Sequence, residues 1–286
     1  MKEIIDALNE GKPGNYLKIN GKPLINDITY SNITEKSGTL AFVDGGNNEI
    51  IGGSNFTIQK ARTYYCVYEN GKRIKQERKD YTITVFTKND KLIGETEGIR
   101  IEIEQNDPTL TYSGFCVQPT TVAQFIRRLL ELKMASQLPY TTVIDGDLEP
   151  KRPEEKEFIT ANICGLSKTS TLVTDSGMSA IQAVLKKAPT GKWMAKLTEN
   201  TYFAKLHEKS QHVFRIDCHD AEIIRELCAN AKDPTFLGYP YGLIEAHKMA
   251  KVGEQETQQE KLILLSKHPE LMNHTNDAHD VLDNIC

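Results

Sequence analysis

Paired cysteines are missing from this chain. Its six, Cys66, Cys116, Cys164, Cys218, Cys228 and Cys286, lie far apart with no C-x-x-C, which argues against a zinc ribbon or finger. A disulfide framework is equally unexpected in 286 residues that are 39% apolar, because such a chain can build a real core. Reduced, mostly buried thiols are expected. No run approaches the ~18–20 apolar residues that span a bilayer. Met1-Lys2-Glu3-Ile4-Ile5-Asp6 carries charges where a signal peptide needs an apolar stretch, so the expectation is a soluble, intracellular protein. A strong excess of one charge is absent too. With a net charge of −4, any nucleic-acid binding must come from a local basic face. G-x-x-x-x-G-K-[ST], a G-x-G-x-x-G after a strand, H-E-x-x-H and G-x-S-x-G do not occur. P-loop, dinucleotide, zincin and nucleophile-elbow chemistries therefore have no support.

What is present is a repeated dipeptide. Leu40-Ala41-Phe42-Val43-Asp44-Gly45 and Thr142-Val143-Ile144-Asp145-Gly146 read as two short apolar strands, each ending in Asp-Gly. A carboxylate directly after a buried strand sits at a sheet rim, and Gly beside it permits a sharp turn or a close ligand. If the strands are neighbours, two carboxylates converge on a site for a hard divalent cation, which suits phosphate chemistry. Asp-Gly is also a common turn dipeptide.

The order of elements is mixed. A helix is expected over Lys2–Asn9, broken at Gly11–Asn15. The chain then reads as β from Leu40 to Glu104, with strands at Phe56–Tyr68, Tyr81–Phe86 and Ile99–Glu104 and a hairpin turn at Asn70-Gly71. Val122, Phe125, Ile126, Leu129 and Leu130 mark a helix to about Gln137, capped by Thr120 or Thr121. A charged connector, Asp147–Glu157, leads to a strand over Glu157–Leu166. A helix starts at Asp175-Ser176-Gly177, strands cover Trp193–Leu197, Thr201–Leu206 and Val213–Asp217, and helices cover Ala221–Ala231 and Pro240–Val252. A polar tail from Glu254 carries a short apolar helix at Leu262–Ser266. One mixed α/β domain is expected.

Glu131 lies on the helix feeding the second Asp-Gly strand, off its apolar stripe, and could stand near Asp145. Beside Arg127 and Arg128 it also reads as a solvated ion pair. His247 shares a helical face with Leu243, Ala246 and Ala250, as a packed core residue, a metal ligand or a proton donor. Lys168, after a strand, suits a phosphate or plain solvent. Tyr239 and Tyr241 suit a phosphate hydrogen bond or packing. Oxygen-rich ligation favours Mg²⁺ or Mn²⁺ over zinc, and two ions ~3.5–4 Å apart could clamp the attacking water and the leaving oxygen of a phosphodiester.

Taken in order, these segments resemble the NurA family of DNA-repair nucleases. The matching pieces are Phe42-Val43-Asp44-Gly45-Gly46, the Arg128–Ala135 helix with Glu131, Val143-Ile144-Asp145-Gly146-Asp147-Leu148, Ile163-Cys164-Gly165-Leu166-Ser167-Lys168, Phe214-Arg215-Ile216-Asp217, and Gly238-Tyr239-Pro240-Tyr241-Gly242-Leu243-Ile244-Glu245-Ala246-His247. The last is the most specific. The resemblance implies an α/β, ribonuclease H-like mixed sheet flanked by helices, with added β-rich and C-terminal helical elements. It sets a nuclease domain at 38–252 between an N-terminal segment, 1–37, and a polar, helical tail, 253–286. It implies a Mn²⁺- or Mg²⁺-dependent deoxyribonuclease with two ions. The activity would be a 5′-to-3′ exonuclease with some single-strand endonuclease activity, serving double-strand-break resection in the cytoplasm at the nucleoid. The protein would act on DNA as a homodimer with a hexameric HerA-type ATPase. By motif match, Asp44, Glu131 and Asp145 are metal ligands and His247 a ligand or acid/base group. Tyr239 supports the site, and Lys168 contacts the scissile phosphate. Two departures stand out: Asp147 replaces a small neutral residue, adding a fourth carboxylate or facing solvent, and Gly46 replaces Ser. The rival readings are a non-catalytic DNA-binding or scaffold protein on the same fold, and a metal-dependent phosphatase or nucleotidase. The latter lacks a phosphate-cradling glycine loop.

Overall fold

The computed structural model describes residues 28–111, 116–174 and 179–275, and the backbone of 17–19 and 22–25. The helix expected over Lys2–Asn9 and the helix start at Asp175–Gly177 lie outside the described residues.

In chain order the strands are β1 (Leu17–Ile19), β2 (Lys22–Ile25), β3 (Tyr30–Asn32), β4 (Thr39–Gly53), β5 (Phe56–Glu69), β6 (Lys72–Lys88), β7 (Lys91–Thr96) and β8 (Ile99–Glu104). Helix α1 (Pro119–Ser136), β9 (Thr141–Asp145), a single turn α2 (Pro153–Lys156), β10 (Ile163–Ser167), β11 (Val173–Thr174) and α3 (Ala180–Lys187) follow. The remainder is β12 (Trp193–Lys196), β13 (Thr201–Lys205), β14 (Phe214–Asp217), α4 (Glu222–Asn230), α5 (Tyr241–Ala250), α6 (Glu254–Lys267) and a 3₁₀ turn at Pro269–His274.

Eleven strands form one sheet in the order β3-β12-β13-β14-β10-β9-β4-β5-β6-β7-β8, and β11-β1-β2 form a small second sheet. At the centre, β4, β5 and β6 run antiparallel while β4, β9 and β10 run parallel. A parallel pair needs a crossover, and α1 supplies it between β8 and β9. This is the ribonuclease H-like mixed sheet that was expected.

Alternation along β4 sets both cores. Leu40 and Phe42 join Val143, Cys164, Leu243, Ala246 and Ala250 on the side of α4 and α5. Ala41 and Val43 join Leu132, Ala135, Ile144 and Ile163 on the side of α1. Side chains alternate with a period of two along a strand. The next residues therefore divide the same way: Asp44 and Asp145 belong to the α5 side, and position 45 to the α1 side.

Several expectations need correction. The first Asp-Gly does not end its strand. β4 continues to Gly53 because β5 pairs with it along its whole length, from Thr39↔Glu69 to Gly53↔Phe56. β6 begins at Lys72, not Tyr81; its charged first half is held by β5. The Asn70-Gly71 turn forms as expected, with φ of 50° and 75°. Helix α1 is capped at Gln118 without a side-chain bond, with Pro119 in its first turn, rather than by Thr120 or Thr121. The strand expected from Glu157 starts only at Ile163, and the connector before it holds α2. Pro240 is the N-cap of α5, not part of its first turn. The polar stretch from Glu254 is itself helical and continuous with the apolar Leu262–Ser266. Cys66, Cys164, Cys218 and Cys228 are buried free thiols, while Cys116 is exposed.

Candidate active site at the sheet rim

Val43 of β4 pairs with Ile144 of β9 in parallel register. Asp44 and Asp145 are the next residues on neighbouring strands, which lie ~4.8 Å apart. Asp44 is nearly buried, at 9% side-chain exposure, and its Oδ1 accepts a hydrogen bond from the Gly45 backbone N–H at 2.8 Å. Its Oδ2 is 2.9 Å from Nδ1 of His247. Lys168, the residue after β10, donates from Nζ to Asp145 Oδ2 at 2.6 Å. The same ammonium stands 5.2 Å from the centroid of the Tyr239 ring. Burial first, then the charges of Asp145 and Asp44, push the Tyr239 phenol up. Thus Asp44, Asp145, Lys168, Tyr239 and His247 are brought together on the α5 side.

Glu131 approaches from the other side. A Cβ at position 45 would lie 2.7 Å from Glu131 Oε1, so this carboxylate sits directly over the first Asp-Gly backbone. It is buried, not a solvated pair. Oε1 is held by Arg127, and Oε2 is 3.6 Å from Arg128. Burial pushes its carboxyl up to about 7 against the pull of both arginines, with Asp44 and Asp145 adding to the rise.

His247 departs from the helical face expected for it. Leu243, Ala246 and Ala250 are buried, whereas the imidazole is 69% exposed; the ring swings off the core stripe to reach Asp44. Asp147 borders the same cleft as Asp44 and Asp145; its side chain accepts from the Glu149 N–H at 3.2 Å and its carbonyl from Arg128.

Two residues of the site, Arg127 and Arg128, read in the sequence only as ion-pair partners of Glu131. Arg127 donates to the Gly45 carbonyl at 2.8 Å. Arg128 donates to the Asp145 carbonyl at 3.3 Å and the Asp147 carbonyl at 2.7 Å. Consecutive arginines of α1 therefore each grip one Asp-Gly segment. The available signal was their placement one turn before Glu131, at i−4 and i−3. Asp44, Arg127, Arg128, Glu131 and Asp145 border a cleft of about 680 Å³.

The donor set at the rim is oxygen. A magnesium-like ion is commonly held by one or two carboxylates together with substrate phosphate, and the neighbouring Asp44 and Asp145 fit that requirement. The buried hydroxyl of Tyr239 has no hydrogen-bond partner among the described residues, leaving a polar atom free beside the pair. Among the described residues, no group of three or more His, Cys, Asp or Glu side chains is arranged to hold a metal ion. Glu131, with both oxygens facing arginines, does not complete one.

The mixed sheet with its crossover helix and rim carboxylates defines a ribonuclease H-like domain. No family model matches the chain. The crystal structure of the NurA nuclease from Sulfolobus solfataricus shares its fold, with a TM-score of 0.53 over 93% of this chain and 92% of that one at 13% identity. The DNA double-strand break repair nuclease NurA of Sulfolobus acidocaldarius is 36% identical over 73 residues, 25% of this chain and 22% of that protein. The match thus spans about a fifth of that relative's length. The catalytic domain of human endonuclease V gives a TM-score of 0.39 at 13% identity over 79% of this chain and 84% of that one. The chain is NurA-like in fold over nearly its whole length and in sequence over that shorter stretch. No described helix is long and apolar enough to cross a membrane.

Proposed function

We propose that this chain is a NurA-like, metal-dependent deoxyribonuclease whose reacting centre is the rim between Asp44 and Asp145. The observation that carries the reading is the parallel β4–β9 register, which sets two carboxylates from distant parts of the chain side by side. In this reading Asp44 and Asp145 hold Mn²⁺ or Mg²⁺. When bound, such an ion would supply positive charge for the phosphodiester and activation of water. Lys168, already at Asp145, receives the scissile phosphate. His247, on Asp44, handles a proton at Nδ1 or Nε2. Tyr239 orients a phosphate oxygen with its free hydroxyl. Glu131, braced by Arg127 and Arg128, positions the Gly45 backbone and keeps the role of third carboxylate if the arginines yield to substrate. The resemblance to NurA extends the reading to 5′-to-3′ exonuclease and single-strand endonuclease activity in break-end resection. It also brings action as a homodimer, a HerA-type hexameric ATPase partner and a cytoplasmic, nucleoid-associated setting.

The test is cleavage of linear DNA with Mn²⁺ by the wild type and by Asp44→Ala and Asp145→Ala, each checked for folding by circular dichroism. The expected result is a loss of at least ~100-fold in each variant, since each removes a carboxylate donor to the ion that offsets charge at the reacting phosphate. Undiminished cleavage by either folded variant removes that residue from the mechanism. The non-catalytic alternative draws on one observation, the pairing of Asp44 with His247 and of Asp145 with Lys168, which gives each carboxylate a side-chain partner without a metal. DNA binding that is indifferent to Mn²⁺, with no cleavage, would favour it.

A further inference from the structure

The Asp44–Asp145 rim separates two clefts rather than closing one. The first is the 680 Å³ cleft beside Arg127 and Arg128. The second, about 660 Å³, lies past Asp44 and is bordered by Gly45, Gly46, Asn47, His247, Lys251 and Glu254. His247 joins them, since it borders the second cleft and bonds Asp44, which borders the first. The geometry follows from unequal strands. β9 ends at Asp145 while β4 continues to Gly53, and the parallel pairing stops at Val43↔Ile144. Beyond it, the described part of β4 pairs only with β5. Gly45–Asn48, half-buried, has no second strand along that edge and runs away from the carboxylates.

A mononucleotide needs one enclosed cleft. Two polar clefts meeting at the reacting groups suit a polymer that continues on both sides of the bond. One lysine of the second cleft points the same way. The Lys251 backbone is fixed, because its carbonyl accepts from Arg62 at 2.9 Å. Its side chain is exposed and makes no ion pair among the described residues. Among the described residues, the one carboxylate bordering the cleft is Glu254, at the start of the next helix.

We propose that the second cleft is a subsite for the nucleic-acid strand beyond the scissile phosphate, with Lys251 receiving a backbone phosphate there. This rests on the nuclease reading above. The test measures binding and leaves cleavage aside: the affinity for a labelled single-stranded oligonucleotide in Ca²⁺, across a salt series, for wild type, Lys251→Gln, Lys251→Ala and Lys251→Arg. The control is Lys196→Ala, an exposed lysine on β12, far along the sheet from the cleft. Loss of one phosphate contact lowers the slope of log affinity against log salt by about 0.7 for a single strand. That decrease is expected for Gln and Ala, with Arg restoring the slope and the control unchanged. Wild-type slope in both Lys251→Gln and Lys251→Ala overturns the subsite, as does an equal decrease in the control. A wild type that shows the expected pattern yet never cleaves with Mn²⁺ supports the subsite and sinks the nuclease reading. A wild type that does not bind the oligonucleotide overturns both.

Discussion

A methyl group at position 242 would fall 2.0 Å from Cδ2 of Phe42. Only a residue without Cβ lets α5 lie this close to β4, and that closeness brings His247, five residues on, to Asp44. Gly242→Ala should cost about 1–3 kcal/mol through overpacking, read as a lower midpoint in urea, and should reduce cleavage more than that loss explains. Wild-type stability and activity in this variant would show that α5 shifts freely. Glu245 fastens the same helix from its other side. It accepts from Tyr64 at 2.7 Å, from Arg73 at 2.7 Å and from Tyr68. Burial would push this carboxyl up, but the three donors outweigh it and hold it below the usual range. Tyr68→Phe removes one hydrogen bond to a charged acceptor and should cost about 1.5–3 kcal/mol. An unchanged urea midpoint would mean that water replaces the phenol at no cost.

At the scale of elements, α6 shows what tertiary pairing adds to local pattern. Its sequence gives no clear apolar stripe, and Leu262 and Ile263 are exposed. The helix is held to β5 by charge: Glu256 reaches Arg62 at 2.6 Å and Lys60 at 2.9 Å, and Glu260 also meets Lys60. Arg62 and then Lys60 lower the Glu256 carboxyl to about 2. A depressed folded pKa stabilises above the unfolded value, and that stability is lost as pH falls through the folded one. With Glu256 about a third exposed, screening limits the gain to roughly 1 kcal/mol. Glu256→Gln should therefore melt below wild type at pH 7, and the difference should shrink as pH falls from about 5 toward 2. A difference that stays constant with pH would assign the loss to packing. The same distinction explains which elements were legible. Ile99–Glu104 alternates strictly, and the structure buries every second residue. Asn70-Gly71 carries its own turn chemistry. The extension of β4 through Gly53 and the first half of β6 have no apolar pattern of their own. They are strands because β5 pairs with both along its length, information spread over the hairpin and absent from any one window. At the site, Asp44 and Asp145 were legible from their place after apolar strands. Glu131 was seen, but its burial under two arginines depends on how α1 crosses the sheet. Arg127 and Arg128 were hidden because their backbone acceptors become visible only once β4 and β9 are neighbours.

For the whole molecule, the net charge of −4 matters less than where like charges are forced together. Folding sets Asp44 and Asp145 on adjacent strands, with His247 bonded to the first and Lys168 to the second. An ion that binds this arrangement and not the unfolded chain must stabilise the fold by mass action. At a concentration ~100 times its dissociation constant the gain is about 2.7 kcal/mol. A chain of this size shifts its midpoint by roughly 2–4 °C per kcal/mol. Millimolar Mn²⁺ should therefore raise Tm by about 5–10 °C over the same protein in chelator. Asp44→Asn with Asp145→Asn makes the opposite trade. It removes the repulsion, so the double variant in chelator should melt at or above the wild type, and it removes the donors, so Mn²⁺ should no longer move it. An equal rise with Mn²⁺ in both proteins would place the ion elsewhere in the molecule. A double variant that melts well below wild type in chelator would show that the bonds from His247 and Lys168 outweigh the repulsion they offset.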